Sequence, residues 1–269
     1  MNTINTLPVN TLPVAVIAKA RYAKRTHYLP DKLRIVWPTR QPKPVIIRTN
    51  LFLRSLPAVW LTKLEGSLRT VNLDREQYLW GQDESPEYIY FPETAVISHL
   101  KMLEDGRMVE VALTGREGAA GMASVFGSGR SPNSAQVAHA GSSARIEREV
   151  LVKMTRVYPE MIPLLLADVG PYIDVVSQRS VCNTYHDVKQ RLATWLLMIQ
   201  DRSHMEILNV THEQMARALG ILRPSLTCIA LQLRQNGSIQ YGRGEVVVLD
   251  RHLLESVACT CYRRLSTVY

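Results

Sequence analysis

The sequence lacks any uninterrupted apolar run that approaches the ~18 residues of a membrane-spanning helix, so we expect no transmembrane segment and no membrane partner. Cysteine is also scarce. Four occur among 269 residues, and all lie in the last third of the chain, at Cys182, Cys228, Cys259 and Cys261. They do not form the disulfide framework of a small secreted domain, so we expect a reducing, cytoplasmic compartment.

Acidic residues are almost absent from the first fifty positions, where nine Lys and Arg residues accompany Asp31 alone. From Leu51 onward there are 23 basic and 23 acidic residues, so the net charge of +8 belongs to the N-terminal segment. We expect residues 1–48 to be a basic flexible tail, with an arm that contacts DNA phosphates as the alternative. The apolar patch from Leu12 to Ala18 faintly resembles a signal peptide, but it is short and no basic residue precedes it.

Hydrophobic residues make up 46% of the chain, which is enough to bury a core, and the length suggests two domains. From Arg69, short β-rich runs are bounded by Asp, Gly and Pro. Apolar and polar residues alternate from Thr94 to Leu113, on both sides of Asp105-Gly106, and this pattern predicts a tight hairpin. Many short strands with glycine punctuation favour a small barrel or roll over a parallel sheet.

The usual signatures of an enzyme site are missing from this β-rich region. The glycines of Gly115 to Gly121 lack the Lys-Ser/Thr of a Walker loop and the spacing of a dinucleotide fingerprint, so we interpret them as turns. Only His99 and His139 could supply imidazole ligands there, and they lie far apart in the sequence. No nucleophile–base pair converges by spacing either, so we expect no enzyme, no catalytic residues and no cofactor.

Helical periodicity replaces the strand pattern from Glu149 to Arg202. One apolar stripe could be core or a dimer seam. Its members are Leu164, Leu165, Val169, Ile173, Val176 and Ser180. Gly170-Pro171 interrupts this stripe and predicts a kink or break. A second helix presents one amphipathic face that contains Val188, Leu192, Trp195, Leu196 and Ile199.

The segment from Asn209 to Asp250 reads as a winged helix-turn-helix. Thr211 and Gln214 form a capping box at the start of a first helix, and Gly220 provides the turn. Pro224 suits the first turn of a second helix. Strands around Gly242-Arg243-Gly244 then form a hairpin with a basic tip. The second helix of such a unit enters the DNA major groove, so we expect DNA binding.

With these segments in family order, the chain resembles the Crp/Fnr family of bacterial transcription regulators. The resemblance rests on the following strings of this sequence: YIYFPETAVISHL, DGRMVEVALTGREGAAG, CNTYHDVKQRLATWLLMIQDR, THEQMARALGILRPSLT, GSIQYGRGEVVVLD and ACTCY. It implies an α+β fold with an N-terminal cyclic-nucleotide-binding-like β-roll, a long dimerisation helix and a C-terminal winged helix-turn-helix. We accordingly predict five parts: a tail (1–48), the β-roll (49–155), the dimerisation helix (156–182), the DNA-binding domain (183–257) and a C-terminal tail (258–269).

The ligand chemistry of the family transfers poorly to this chain. The carboxylate that the family uses for the ribose hydroxyl is replaced by Met122, and the arginine that it uses for the cyclic phosphate is replaced by Asn133. Arg130 could substitute only if its loop were rebuilt. A buried phosphate without its guanidinium loses a charge-assisted partner, so we predict that the roll does not bind cyclic AMP.

The cysteines do not match the family's iron–sulfur sensors, which need clustered cysteines in or before the roll. Cys259 and Cys261 form a single Cys-x-Cys pair, which cannot complete a metal site alone. We therefore expect free thiols and no metal. Thiol-based redox control at Cys228, on the recognition helix, is the alternative.

The resemblance further implies a homodimer on palindromic double-stranded DNA, with RNA polymerase as a candidate further partner. We expect seven residues to contact DNA: Thr211, Arg223, Ser225, Thr227, Cys228, Gln232 and Arg243. Of these, Arg223 can read guanine, whereas Pro224 and Cys228 replace contacts that the best-known members make, so the operator should differ from theirs. The alternatives are a regulator gated by an unidentified effector other than a cyclic nucleotide, and a winged-helix protein that binds a partner without DNA specificity.

Overall fold

The structure is a computed structural model that describes residues 49–267. The predicted basic tail, residues 1–48, therefore lies outside the described residues, as do the last two positions. None of the described helices is long and apolar enough to cross a membrane.

Short β-rich runs build the N-terminal half, where every strand pairing is antiparallel. Two helices come first, α1 (Leu51–Ser55) and α2 (Ala58–Glu65). The strands are β1 (Arg69–Leu73), β2 (Tyr78–Trp80), β3 (Tyr88–Pro92), β4 (Val96–Met102), β5 (Met108–Thr114), β6 (Ser134–His139) and β7 (Gly141–Glu147). They form one sheet of order β1-β7-β3 and another of order β2-β6-β4-β5. The predicted β-roll is confirmed.

The hairpin that joins β4 to β5 shows how local sequence directs this half of the fold. Met102 pairs with Met108 across it. Gly106 takes the left-handed conformation, with φ of 82°. Asp105 does not; its carboxylate instead accepts from the N–H of Arg107 at 3.0 Å. The predicted hairpin is present, but its loop is longer than two residues, so only one positive φ is needed.

Three helices follow the roll: α3 (Arg148–Val157), α4 (Ile162–Leu166) and α5 (Val169–Tyr185). The range 156–182, predicted as one dimerisation helix, is therefore divided. One break falls between Val157 and Ile162 and a second at Ala167–Asp168, and neither falls at Gly170-Pro171. Pro171 lies in the first turn of α5, where its missing N–H removes no intrahelical hydrogen bond. α5, with 17 residues, is the longest of the described helices.

The C-terminal half is built around α6 (Val188–Ser203). This helix begins with a capping box formed by Asp187 and Gln190. The remaining elements are β8 (Ile207–Leu208), α7 (His212–Leu219), α8 (Arg223–Gln235), β9 (Ile239–Gly242), β10 (Glu245–Val248), α9 (Arg251–Val257) and α10 (Tyr262–Thr267). β8, β10 and β9 form a three-stranded antiparallel sheet in that order.

The helix α6 is buried on all sides rather than on one amphipathic face. All eight residues from Leu192 to Ile199 are buried. Val96 and Leu113 of the roll join them in one hydrophobic cluster, together with Leu226 of α8. Residues from 258 onward, predicted as a tail, close this core: Cys259 and Leu265 are buried in the same cluster. A helix with packed neighbours in every direction shows no clean polar stripe.

Candidate nucleic-acid interface

The first helix of the helix-turn-helix, α7, begins and ends as its sequence dictates. Thr211 Oγ1 accepts from the N–H of Gln214 at 3.1 Å, and Gln214 Oε1 accepts from the N–H of Thr211 at 2.9 Å. This reciprocal capping box is the predicted one. Gly220 ends the helix with φ of 64°, a conformation that costs glycine little. The angle between α7 and the following helix is thus set locally.

The second helix, α8, has a buried face and an exposed face. Leu226, Ala230 and Leu233 form the buried one. The exposed residues include five of the seven predicted DNA contacts: Arg223, Ser225, Thr227, Cys228 and Gln232. The helix contains no acidic residue, so nothing on it repels a phosphate backbone.

The hairpin of β9 and β10 carries its arginine at the tip. Gly242 pairs with Glu245, which leaves a two-residue turn of Arg243 and Gly244. Their φ angles are 50° and 82°, and a type I′ turn requires positive φ at both central positions. The Arg243 side chain is exposed. The turn therefore presents a cation to solvent at the end of the β9–β10 hairpin.

A cleft of about 370 Å³ lies between the helices and the hairpin. Thr211, Arg223 and Arg243 all line it, although they come from three separate elements. The structure thus brings three predicted contacts to one place and leaves Ser225, Thr227, Cys228 and Gln232 outside its lining, on exposed positions of α8. The Thr211 hydroxyl is engaged in the capping box, so its part in binding would be secondary to its part in folding.

The cleft also contains two aromatic side chains that no sequence motif indicates. His212 and Tyr241 face each other with ring centroids 4.8 Å apart, and Arg234 of α8 lies over the Tyr241 ring at 5.7 Å. His212 Nδ1 lies 3.4 Å from Thr227 Oγ1. Burial, and then the positive charge of Arg223, lower the pKa of His212. The alternation of residues along β9 could have indicated Tyr241, but no local signal pairs it with His212.

The helix-turn-helix is attached to the β-roll. Arg217 of α7 lies 3.6 Å from Glu76, and the backbone oxygen of Gly244 accepts from Arg75 at 3.0 Å. The amide of Gln214 donates to the backbone oxygen of Ala138 at 3.4 Å. The orientation of α7 and of the wing relative to the roll is therefore fixed by polar contacts as well as by the shared core.

A second cavity lies between the roll and the start of α5, at the positions compared above with the cyclic-nucleotide cassette. It measures about 50 Å³, and Met122 and Asn133 line it. Small-molecule pockets usually enclose ~300–1,000 Å³. The Asn133 amide donates to the hydroxyl of Tyr172, in the first turn of α5, at 3.0 Å. Arg130 is not in the lining and instead donates to the backbone oxygen of Asp83 at 3.3 Å.

The ionisable groups of this cavity favour their neutral forms. Burial raises the pKa of Asp168 to about 7, although its carboxylate accepts from the N–H of Ala119 at 3.1 Å. Burial lowers the pKa of His99 to about 4. Among the described residues that line the cavity there is no Lys or Arg. It offers no cation to a phosphate.

Two further residues with metal-ligating side chains lie beside the Cys-x-Cys pair of Cys259 and Cys261. The pair lies in the turn between α9 and α10, and the fold places Cys182 and His186 beside it. Their ligand atoms all lie within 4.8 Å of one another. Cys182 comes from α5, more than seventy positions before Cys259, so no motif of the sequence links it to the Cys-x-Cys pair.

Comparison with known proteins agrees with this architecture. Residues 190–257 match the family profile of the Crp-like helix-turn-helix domain. No protein of curated function matches the chain significantly by sequence.

Among solved structures, FixK2 from Bradyrhizobium japonicum is similar at 20% identity and a TM-score of 0.59, over 72% of this chain and 98% of that one. The c-di-GMP responsive global regulator CLP of Xanthomonas campestris is similar at 13% identity and a TM-score of 0.58, over 72% of this chain and 100% of that one. A Crp/Fnr-family transcriptional regulator from Thermus thermophilus is similar at 22% identity and a TM-score of 0.56, over 71% of this chain and 98% of that one. The resemblance is thereby confirmed: this chain carries a Crp-like helix-turn-helix domain and has the fold of Crp/Fnr regulators.

Proposed function

We propose that this protein, with its Crp-like helix-turn-helix on a Crp/Fnr-type fold, is a transcription regulator that binds specific double-stranded DNA sequences and catalyses no reaction. The observation that carries the proposal is the cleft that Arg223 and Arg243 share. Arg223 stands at the first position of α8, where a recognition helix meets base edges, and Arg243 stands at the wing tip, where it would meet phosphate.

The remaining predicted contacts divide by chemistry. Ser225 and Thr227 are hydroxyl side chains in the first turns of α8 and suit phosphate oxygens. Cys228 and Gln232 lie farther along the exposed face and would approach bases beside Arg223. Thr211 would act chiefly as the N-cap of α7. By stabilising the start of this helix, it would keep the N-terminus of α7 against the DNA backbone.

The protein would act as a homodimer that pairs along α5. The side of this helix turned away from the core exposes Ile173, Ser177, Ser180 and Val181 at helical spacing. Small residues at 177 and 180 would let a second copy approach closely, and the apolar pair would be buried. A two-fold dimer places its recognition helices about one DNA turn (~34 Å) apart, so the operator would be palindromic. RNA polymerase is the partner that such a regulator would contact.

The roll would act without cyclic AMP. A cavity of about 50 Å³ without a lining cation cannot enclose a nucleotide or neutralise its phosphate. The regulator would thus be constitutive or respond to another effector. The exposed thiol of Cys228, on α8 itself, supports redox control as the second candidate, because its oxidation would change the surface that faces DNA.

Selection of bound duplexes from a random pool by the purified chain, without added effector and at near-physiological salt, tests the proposal. Enrichment of a palindrome is the expected result, and a parallel selection after mild oxidation tests the thiol. Weak binding that salt abolishes, without a consensus, would contradict a ligand-independent regulator. A stable dimer with no DNA affinity would instead favour a winged helix that binds a protein partner.

A further inference from the structure

Four metal-binding side chains meet where α5 ends and α6 begins. Cys182 lies in the last turn of α5, and His186 is the residue that ends it. Cys259 and Cys261 reach the same point from the turn before α10. The sulfur atoms of Cys182 and Cys259 are 3.9 Å apart, and His186 Nε2 is 3.2 Å from the sulfur of Cys261. None of the four residues lines the cavity of the roll or the cleft between α7, α8 and the hairpin.

We propose that these four residues bind one Zn²⁺ ion. Zinc prefers four tetrahedral ligands, and three cysteines with one histidine are a usual structural set. Two thiolates at ~2.3 Å from one tetrahedral ion lie about 3.8 Å apart. The Cys182–Cys259 distance matches that value, and all four donors fit within 4.8 Å. An iron–sulfur cluster would need a wider arrangement, because several iron and sulfide atoms would lie between the ligands.

The groups around the cluster suit thiolates. The Gln178 amide donates to the sulfur of Cys261 at 2.9 Å. Thr194 Oγ1 accepts from the N–H of Cys259 at 3.1 Å, which leaves its hydroxyl proton for the Cys259 sulfur, also at 3.1 Å. Donors of this kind orient metal-bound sulfur and offset its charge.

The electrostatics of the cluster point the same way. Three thiolates and one Zn²⁺ carry a net negative charge, and the guanidinium of Arg191 is near enough to interact with Cys182 and Cys259. The sulfur atoms of Cys182 and Cys259 are close enough to share a proton, and a metal ion would replace that proton.

A disulfide between Cys182 and Cys259 is the competing use of the same atoms. It would leave His186 and Cys261 without a function, although both converge on the pair and keep half-exposed surfaces through which an ion can enter. Four convergent donors, rather than two, favour the metal.

The location gives the ion a mechanical effect. His186 has extended backbone between two helices, and Asp187 caps the second of them. Zinc would fasten the turn after α9 to this junction, and so would hold the end of α5 against the domain that carries α8. The site is closed by four protein ligands, which is typical of structural rather than catalytic zinc.

Metal analysis of the full-length chain, purified without chelators after growth with zinc, is the direct test. We expect one zinc per chain by plasma mass spectrometry, and an X-ray absorption spectrum with three sulfur ligands at ~2.3 Å and one nitrogen at ~2.0–2.1 Å. Substoichiometric zinc, bound iron in its place, or a Cys182–Cys259 disulfide in peptide maps of the native protein would each overturn the proposal.

Variants with matched controls localise the ion. Cys261→Ser changes one half-buried ligand atom and should lose the zinc, whereas Cys228→Ser, at an exposed cysteine outside the cluster, should retain it. His186→Ala should lose it as well, and His252→Ala, at an exposed histidine of α9, should not. If the ligand variants retain zinc, the assignment is wrong.

The wild-type chain supplies a readout that does not depend on whether a variant folds. A chelator should lower its melting temperature, added Zn²⁺ should restore it, and Co²⁺ in place of zinc should give intense sulfur-to-cobalt absorption. A melting temperature that is indifferent to both chelator and Zn²⁺ would contradict a structural ion. These measurements do not involve DNA, so they succeed or fail independently of the proposed regulator function.

Discussion

Arg179 of α5 donates to the carboxylate of Glu110 on β5 at 3.1 Å, and both side chains are buried. The same guanidinium donates to the backbone oxygen of Ala218 at 3.2 Å, and Trp195 of α6 donates to the same carboxylate oxygen at 2.8 Å. Burial raises the pKa of Glu110, and Arg179 opposes that shift. One ion pair thus joins the roll, α5 and the helix-turn-helix.

Replacement of Arg179 by Met should destabilise the protein by about 3–5 kcal/mol, because it leaves a buried carboxylate without its cation. The double variant R179M/E110Q should recover part of that loss, since neither charge then remains. Urea unfolding measures both. Arg107→Met, which breaks an exposed ion pair with Asp105, is the control and should change stability little. Equal losses of unfolding free energy in all three variants would show that the buried ion pair stabilises the protein no more than the exposed one.

Replacement of Arg223 by Ala should remove sequence preference rather than all binding. A bidentate contact to guanine discriminates by ~1–3 kcal/mol, whereas phosphate contacts elsewhere persist. Competition between the selected operator and a scrambled duplex gives the ratio. Arg156→Ala removes the same charge from an exposed position of α3 and should leave the ratio unchanged. Unaltered selectivity in R223A would refute the assignment of Arg223 to base recognition.

Replacement of Arg243 by Asn should weaken binding to every duplex alike. Asn tolerates the positive φ of this turn, so the wing keeps its shape while the charge is lost. The slope of log affinity against log salt should decrease in magnitude by about 1, which corresponds to one phosphate contact. An unchanged slope would place the wing tip away from the DNA.

Replacement of Ile173 by Glu should dissociate the proposed dimer. Each protomer would bring a charge into the seam in place of an apolar side chain, so the dimer dissociation constant should rise at least ~100-fold. Sedimentation measures it. Val157→Glu, at an exposed apolar residue of α3, is the matched control and should remain dimeric. An I173E variant that remains dimeric would place the seam elsewhere.

Replacement of Asp168 by Asn should stabilise the protein at alkaline pH. The folded pKa of about 7 exceeds the ordinary value of 3.8, so stability falls as pH rises between those values, where only the folded chain holds the proton. Asn cannot ionise. The variant should therefore melt higher than the wild type at pH 8, and the difference, at about 1.4 kcal/mol per pKa unit, should shrink toward pH 4.

The control for this titration is Asp174→Asn, which should behave oppositely. Arg264 donates to Asp174 at 2.7 Å and holds the pKa of that carboxyl below its ordinary value. The ion pair of Asp174 stabilises the folded protein at pH values above the ordinary pKa of the carboxyl. This stabilisation is lost as the pH falls through the lower pKa that Asp174 has in the folded state. D174N should therefore be less stable than the wild type at neutral pH and equal to it in strong acid. A D168N effect that is independent of pH would contradict the raised pKa.

Much of the local structure of the helix-turn-helix can be predicted from the sequence. The capping box of Thr211 and Gln214, the left-handed Gly220 and the turn of Arg243 and Gly244 each depend on side chains within a few positions of one another. Their conformations follow from local hydrogen bonding and from steric limits on φ. The alternation around Asp105-Gly106 likewise yields its hairpin.

Long-range convergence could not be deduced in this way. His212 meets Tyr241, Glu110 meets Arg179, and the two halves of the cysteine cluster lie more than seventy positions apart. No pattern in the sequence around any of these residues indicates its distant partner. Only packing of α6 against both the roll and the helix-turn-helix brings them together, because burial of apolar surface on every side of that helix decides which distant segments share a core.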